Sequence, residues 1–360
     1  MSRKLLSYTA IGLILGSTAI ADVPKVAVDI APVHSLVSRV MEGVGSPKLI
    51  IPAGASPHEY SLRPSEAKSL QDADMVIWMG EDLAPWMENS IETLSKNAEV
   101  ITLLEESSTK LLDFREGALF EEHDHGEHDD HDDHDDHDEH DHDKDHDDHD
   151  DHDDHDHDKD HDDHDDHDDH DHDKDHDDHD DHEDHDGHAH GEHDPHAWLS
   201  TENAQTWLNL VAGKLSAADP DNAGVYFANA AAAREEINDL VKEVKSILEP
   251  VRGRNFVVFH DAYQYFETSF DFPAAGAISL SDATDPSAAR IAEIQDRVKD
   301  EGIHCVLSEP QYNARLVATV LSGTDAKTGV IDPVGLGLEP GPNLYSDLIR
   351  NMARTLAGCL

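Results

Sequence analysis

Five histidines stand outside the chain's long acidic run, and their settings differ. His58 sits in GASPHEYSLRPS, His196 in DPHAWLS, His260 in VVFHDAYQYF, His34 in APVHSLV and His304 in GIHCVLSEP. A neutral imidazole offers a lone pair of borderline softness, suited to Zn2+, Cu2+, Ni2+ or Co2+. Three of the five share a place in the pattern. His58 follows an apolar run by a Gly/Pro loop, His196 opens a helix-like stretch, and His260 closes an apolar run. Asp332, in VIDPVG, also follows such a run. Open α/β sheets bind ligands beyond the carboxyl ends of their strands, and in a two-lobed protein two such edges face one cleft. Taken singly each histidine is ambiguous, because a His beside a strand is commonly a cap or a core residue.

The other 25 histidines lie between Glu121 and Asp194, with 42 Asp and Glu, 3 Lys and a single Ala. Three tandem copies of a 15-residue unit, HDHDKDHDDHDDHDD at 155–169 and its neighbours, differ at one position. So little apolar surface cannot offset the entropy of ordering, and the expectation is an extended, disordered loop. Imidazole and carboxylate together suit divalent transition metals. Many loose, near-identical sites should hold several ions weakly, since each ion must order floppy backbone. The competing reading is a solvated charge run that happens to contain His.

The elements that would position the histidines follow from short Val/Ile runs: KVAVDI (25–30), KLIIP (48–52), DMVIWMG (74–80) and EVITLL (99–104). Helix-like stretches follow Pro64 and Asp82. A second set repeats the theme with NFVVFH (255–260), AAGAISL (274–280), HCVLSEP (304–310) and TGVIDP (328–333). The helices between are DPSAARIAEIQDRVKD, ARLVATVLSG and NLYSDLIRNMARTL. Alternation of this kind predicts an α/β fold of two similar lobes, each with a parallel sheet and crossover helices. Between them, 219–250 places Ile237, Leu240, Val241, Val244, Ile247 and Leu248 at helical spacing before Pro250. One rigid helix of roughly 45 Å is expected there, bridging two lobes. No other predicted helix matches its length, which argues against a bundle. The expected divisions are 1–21, an N-terminal lobe at 22–218 carrying the 121–194 insertion, the linking helix at 219–250 and a C-terminal lobe at 251–360.

Composition narrows the partners. The formal charge is −54, but the insertion supplies −39 of it and leaves −15 for the rest. The remaining chain, about 285 residues, is long enough for more than one ordinary domain core. An acidic exterior repels phosphate, which sets aside nucleic acid and anionic membrane surfaces. The start, MSRKLLSYTAIGLILGSTAIADVPK, reads as a secretory signal peptide cut after Ala21. With no Cys at that junction a soluble exported chain is favoured over a lipid-anchored one. Cys305 and Cys359 are the only cysteines. In an oxidising compartment such a pair favours a disulfide, closing a loop of about 55 residues, with two buried free thiols as the alternative.

Five motifs in order, GASPHEYSLRPS, DPHAWLS with a His-rich insertion before it, FVVFHDAYQYF, SEPQYN and IDPVGLG, closely resemble the metal-binding solute-binding proteins. Within that family they resemble the periplasmic zinc-binding components of high-affinity zinc ABC transporters, over nearly all of the mature chain. The resemblance implies two α/β lobes on one rigid helix, with a single Zn2+ between them. The family's zinc-binding histidines fall on His58, His196 and His260. Manganese-binding relatives carry Glu where this chain has His260, and imidazole there shifts preference from Mn2+ toward Zn2+. The family's second-lobe aspartate falls on Asp332. An acid that precedes the first histidine in some zinc members is replaced here by Pro57, which leaves Asp332, a water or Glu59 for the fourth place. The family's disulfide coincides with Cys305 and Cys359. His34 and His304 match no metal position and are read as structural. The resemblance further implies a periplasmic monomer that delivers zinc to a membrane permease driven by a cytoplasmic ATPase. A manganese or other divalent-metal protein, and a metal buffer acting through the insertion, are the alternatives.

Three histidines with an open fourth place also describe a catalytic zinc site. The chain has no His-Glu-x-x-His and no Gly-x-Ser-x-Gly, so neither a zinc hydrolase nor a serine hydrolase is expected. Because ligation needs neutral imidazole, binding should weaken as pH falls through about 6.5.

Overall fold

Short runs of branched apolar residues become strands, and five of those among the described residues are buried along their whole length, the usual state of a parallel sheet covered by helices. The structure is a computed structural model that describes residues 23–115, 120, 193–279, 286–312 and 314–360. The signal-peptide reading and the His/Asp repeats lie outside the described residues; His193 and Asp194, where the insertion ends, lie within them.

The first lobe runs β1 (Val26–Val28), α1 (Ala31–Val40), β2 (Lys48–Leu49), α2 (Pro64–Gln71), β3 (Met75–Trp78), α3 (Pro85–Leu94) and β4 (Glu99–Thr102). After the insertion come α4 (Thr201–Ala218) and α5 (Ala223–Leu248). The second lobe follows with β5 (Phe256–His260), α6 (Gln264–Phe270), β6 (Gly276–Ser279), α7 (Ala288–Asp300), β7 (Cys305–Ser308), α8 (Ala314–Val320), β8 (Lys327–Val330) and α9 (Leu344–Cys359). The sheets have matching orders, β2-β1-β3-β4 and β6-β5-β7-β8, with every pairing parallel. In each, the connections reverse direction between the two central strands, so a ligand crevice is expected beyond β1/β3 and β5/β7.

Local signals set the helix starts. Pro64 and Pro85 occupy first helical positions, where a missing N–H costs nothing. The Ser200 and Ser287 hydroxyls accept from Asn203 N and Arg290 N at 3.2 Å, capping α4 and α7. The long helix buries Tyr226, Ala230, Ala233, Ile237, Leu240, Val244 and Leu248 at i, i+3/i+4 spacing. At 26 residues it spans about 39 Å. It does not stand alone: α4, with 18 residues, and α9, with 16, both pack against it. The expectation that no comparable helix accompanies 219–250 is therefore corrected. The helix-like stretch opened by His196 is α4, whose length went unread; its buried face mixes Thr201, Ala204 and Ala212 with Trp207, Leu208, Val211 and Leu215.

One apolar core runs from the first lobe through α4 and α5 to the α5-facing side of the second sheet. The opposite face of that sheet has a separate core, where Val257, Ile278 and Val306 meet Ile294, Val298 and Val320 of α7 and α8. Tyr345 N at the head of α9 donates to Ser35 Oγ in α1 at 2.9 Å. The Cys305–Cys359 disulfide joins β7 to the end of α9. Among the described residues no helix is long and apolar enough to cross a membrane.

Candidate metal centre

His260 is the last residue of β5, and Glu309 follows β7, the neighbouring strand across the reversal point. The sheet therefore sets them side by side, and His260 Nδ1 lies 2.6 Å from Glu309 Oε1. Both are buried. A carboxylate can only accept, so neutral His260 carries its proton on Nδ1 and its lone pair on Nε2.

His196 reaches the same state by a local route. Asp194 Oδ1 accepts from the backbone N of His196 at 2.9 Å and pairs with its Nδ1 at 2.7 Å. A short helical turn, Ala197–Leu199, follows, and Trp198 Nε1 donates to Pro333 O at 2.8 Å, fastening this segment to the second lobe. His196 Nε2 is buried and has no hydrogen-bond partner among the described residues. An imidazole oriented by a carboxylate through one nitrogen, with the other nitrogen unsatisfied and buried, is the arrangement of a metal-ligating histidine.

His58 comes from the loop after β2. Trp86 Nε1, from α3, holds that loop by donating to Pro57 O at 2.8 Å. The loop's Gly54 adopts φ +92°, a conformation that favours glycine, and it approaches the exposed side chain of Leu336 in the second lobe. The ring centroid of His196 is 5.5 Å from that of His58 and 5.3 Å from that of His260. Among the described residues no three His, Cys, Asp or Glu side chains are closed tightly enough to hold an ion as they stand. The ring-centroid spacings place the three imidazoles around one space.

They line a cavity of about 20 Å³ together with Trp198, Glu309, Gln311, Tyr312, Pro333 and Val334. That volume admits about one water-sized sphere, whereas an organic solute needs hundreds of cubic ångströms. The chemistry on offer is cation binding by neutral nitrogen. Asp332 is placed differently from the other predicted residues. Its Oδ1 accepts from Val334 N and Gly335 N, both at 3.1 Å, and from Gln311 Nε2 at 3.3 Å, and it does not line the cavity. Glu59 is exposed and does not line it either. His34 packs in α1 with its Nε2 3.2 Å from Pro47 O, and His304 leads into β7 away from the centre.

Sequence reasoning passed over Asp194, Glu309 and Gln311. The signal for Asp194 was its place two residues before His196; for Glu309 and Gln311 it was a polar pair directly after an apolar run. Beside His260, Asp261 and Glu267 are buried and both bind Arg115, which precedes the insertion. Burial pushes both carboxyl pKa values up, against the pull of the guanidinium. Tyr263, close to His260, is pushed well above the usual phenol range by burial and by Glu309.

Two like-ordered α/β lobes on a shared long helix, closing on imidazoles around a space of ionic size, define a two-lobed solute-binding protein for a metal ion. The chain belongs to the family described as Zinc-uptake complex component A periplasmic, which it matches over residues 26–359. It is 44% identical to the high-affinity zinc uptake system protein ZnuA of Brucella abortus (strain 2308) over 345 residues, covering 96% of this chain and 94% of that protein. It is likewise 44% identical over 350 residues to the ZnuA of Paracoccus denitrificans (strain Pd 1222), covering 96% and 95%. A crystal structure of ZnuA superposes with TM-score 0.65 at 18% identity, over 94% of this chain and 99% of that one, a likeness of fold.

Proposed function

We propose that this protein captures Zn2+ in the periplasm and hands it to a membrane permease of an ABC transporter, with zinc as cargo held by His58, His196 and His260. The observation that carries this reading is the buried, unsatisfied Nε2 of His196, oriented by Asp194 beside two further imidazoles in a one-ion cavity. Membership of the zinc-uptake family and the names of its 44% identical relatives support the cargo and the transport role. The 121–194 insertion is an accessory that holds additional ions weakly. A buried carboxylate behind two of the imidazoles keeps them neutral-tautomer donors and fixes their rings, so little order is lost when an ion arrives.

Calorimetric zinc titration of a mature protein lacking 121–194, and of that protein carrying His260→Ala, tests the reading. One tight site in the first and none in the second is the expected result. Loss of tight binding on deleting the insertion alone would move the function to the repeats.

A further inference from the structure

We propose that Gln311 supplies the fourth contact to the bound ion through its amide oxygen Oε1, and that Asp332 is the positioning residue that aims it. The proposal rests on the metal reading of the cleft given above and assigns the place that three histidines leave open.

Each carboxylate near the centre has other work. One Asp332 oxygen gathers three donors, two backbone N–H groups of the turn after it and Gln311 Nε2, and the residue stays out of the cavity lining. Glu309 does line the cavity, but its Oε1 lies 2.6 Å from His260 Nδ1 and sets that ring. Gln311 lines the cavity too, and its Oε1 is buried with no hydrogen-bond partner among the described residues. The amide is planar with its two polar ends opposed. Because Asp332 can only accept, the NH2 end must face it, and the carbonyl oxygen is turned the other way. A buried amide oxygen without a donor is costly, and a cation relieves it. The same cavity holds a second orphaned acceptor, His196 Nε2. Two residues that line one small cavity thus each carry a buried acceptor atom without a hydrogen-bond donor among the described residues, and a cation taken up there could satisfy both. Three nitrogens and one neutral oxygen give the four-coordinate shell that Zn2+ prefers.

Cobalt(II) reports its own coordination in the visible spectrum, so one equivalent of Co2+ is added to the full chain and to four variants. His196→Ala supplies the background from ions held elsewhere, which is subtracted from every spectrum. The expected result is an intense four-coordinate band for the parent protein. In Gln311→Met it should shift and weaken, with at least a tenfold loss of affinity, while the melting temperature of the metal-free protein is unchanged. Gln311→Glu combined with Asp332→Asn, which keeps an oxygen at the same place and gives its second oxygen a donor, should restore the four-coordinate band. Asp332→Ala should show a smaller loss in the same direction as Gln311→Met. A parent-like spectrum and affinity in Gln311→Met would overturn the assignment and leave the place to water. A changed band in Asp332→Ala with a parent-like Gln311→Met would overturn it in favour of Asp332 itself. Absence of any band in the parent beyond the His196→Ala background would instead remove the metal reading of the cleft.

Discussion

At the scale of single residues, two of the three imidazoles, those of His196 and His260, are fixed from behind by a buried carboxylate. Asp194 and Glu309 do not need to touch the ion to matter. Each fixes which imidazole nitrogen carries the proton and raises the basicity of the other. Glu309→Gln keeps the shape but removes the charge, and its amide can present N–H to Nδ1, which would put the proton on the metal-facing nitrogen. Zinc affinity should fall roughly 10–100-fold, in the range found for such outer partners, and calorimetry on the variant checks it. A loss below threefold would mean that the sheet alone orients His260. A different buried carboxyl gives a pH signature. Asp29, just after β1, accepts from Ile30 N and from Met79 N, each at 2.7 Å, strapping the centre of the first sheet. Burial outweighs these bonds and pushes its pKa from 3.8 up to about 7. Between those values the folded state holds a proton that the unfolded state has lost, so this contribution to stability is full below pH 3.8 and disappears as pH rises through about 7. Asp29→Asn cannot titrate. Its stability deficit in urea, measured with chelator present, should be largest near pH 4 and narrow toward pH 8; a constant deficit would refute the linkage.

At the scale of elements, the segment before the insertion is locked to the second lobe by Arg115. Its guanidinium binds Asp261, next to His260, and Glu267 of α6, with the three side chains 16%, 5% and 6% exposed. The other side of the insertion returns alongside: Asp194 N donates to Leu112 O at 2.8 Å, and Tyr265 Oη accepts from Leu112 N and donates to Asp194 O. Replacing Arg115 with Met would strand two buried carboxylates, at a cost of about 3–5 kcal/mol. Both already titrate high because of burial, and without the guanidinium they would rise further. Acid then protonates them in the folded state first, so the deficit should be large at pH 7.5 and smaller at pH 5. Urea unfolding at the two pH values checks this, and equal deficits would mean that the clamp carries no net charge interaction. The clamp also shows where sequence reading stops. The eight strands among the described residues were legible, because parallel strands and their immediate flanks concentrate Val, Ile and Leu into short runs. Helix α1 was not, since Ala31-Pro32-Val33 reads as the end of a strand, and α6 was hidden by its aromatic residues. The three histidines that the structure brings together stood out in the sequence by their place in the strand pattern and by family motifs. Arg115 and Glu309 did not, because their partners lie across the fold, and Asp194 did not, because an acid at the end of an acidic run looks like any other until packing buries it.

At the scale of the whole molecule, the question is how far the lobes move when zinc enters. A hinged clamp needs a weak connection, and none of the joints described here is weak. The apolar core is continuous from the first lobe through α4 and α5 into the second. Helix α9 packs on α1, α5 and β8, so it touches both lobes and the helix between them. Its end is tied to β7 by the disulfide, and its head to α1 by Tyr345 N and Ser35 Oγ. Opening such a body about α5 would expose close-packed side chains, at about 25 cal/mol for each Å² of apolar surface. His58, in contrast, sits on a loop, where a small adjustment disturbs no packed element. Ion capture should therefore be a loop adjustment on a rigid frame. Solution scattering from protein lacking 121–194, with and without one equivalent of zinc, should give radii of gyration within ~1 Å, as for pre-organised binders. Hydrogen exchange should slow on zinc addition mainly at 52–62 and 194–200, and hardly in α5 or α9. A contraction of several ångströms, or new protection along α5, would show that the continuous core bends, and the rigid-frame account of capture would have to give way to a hinge.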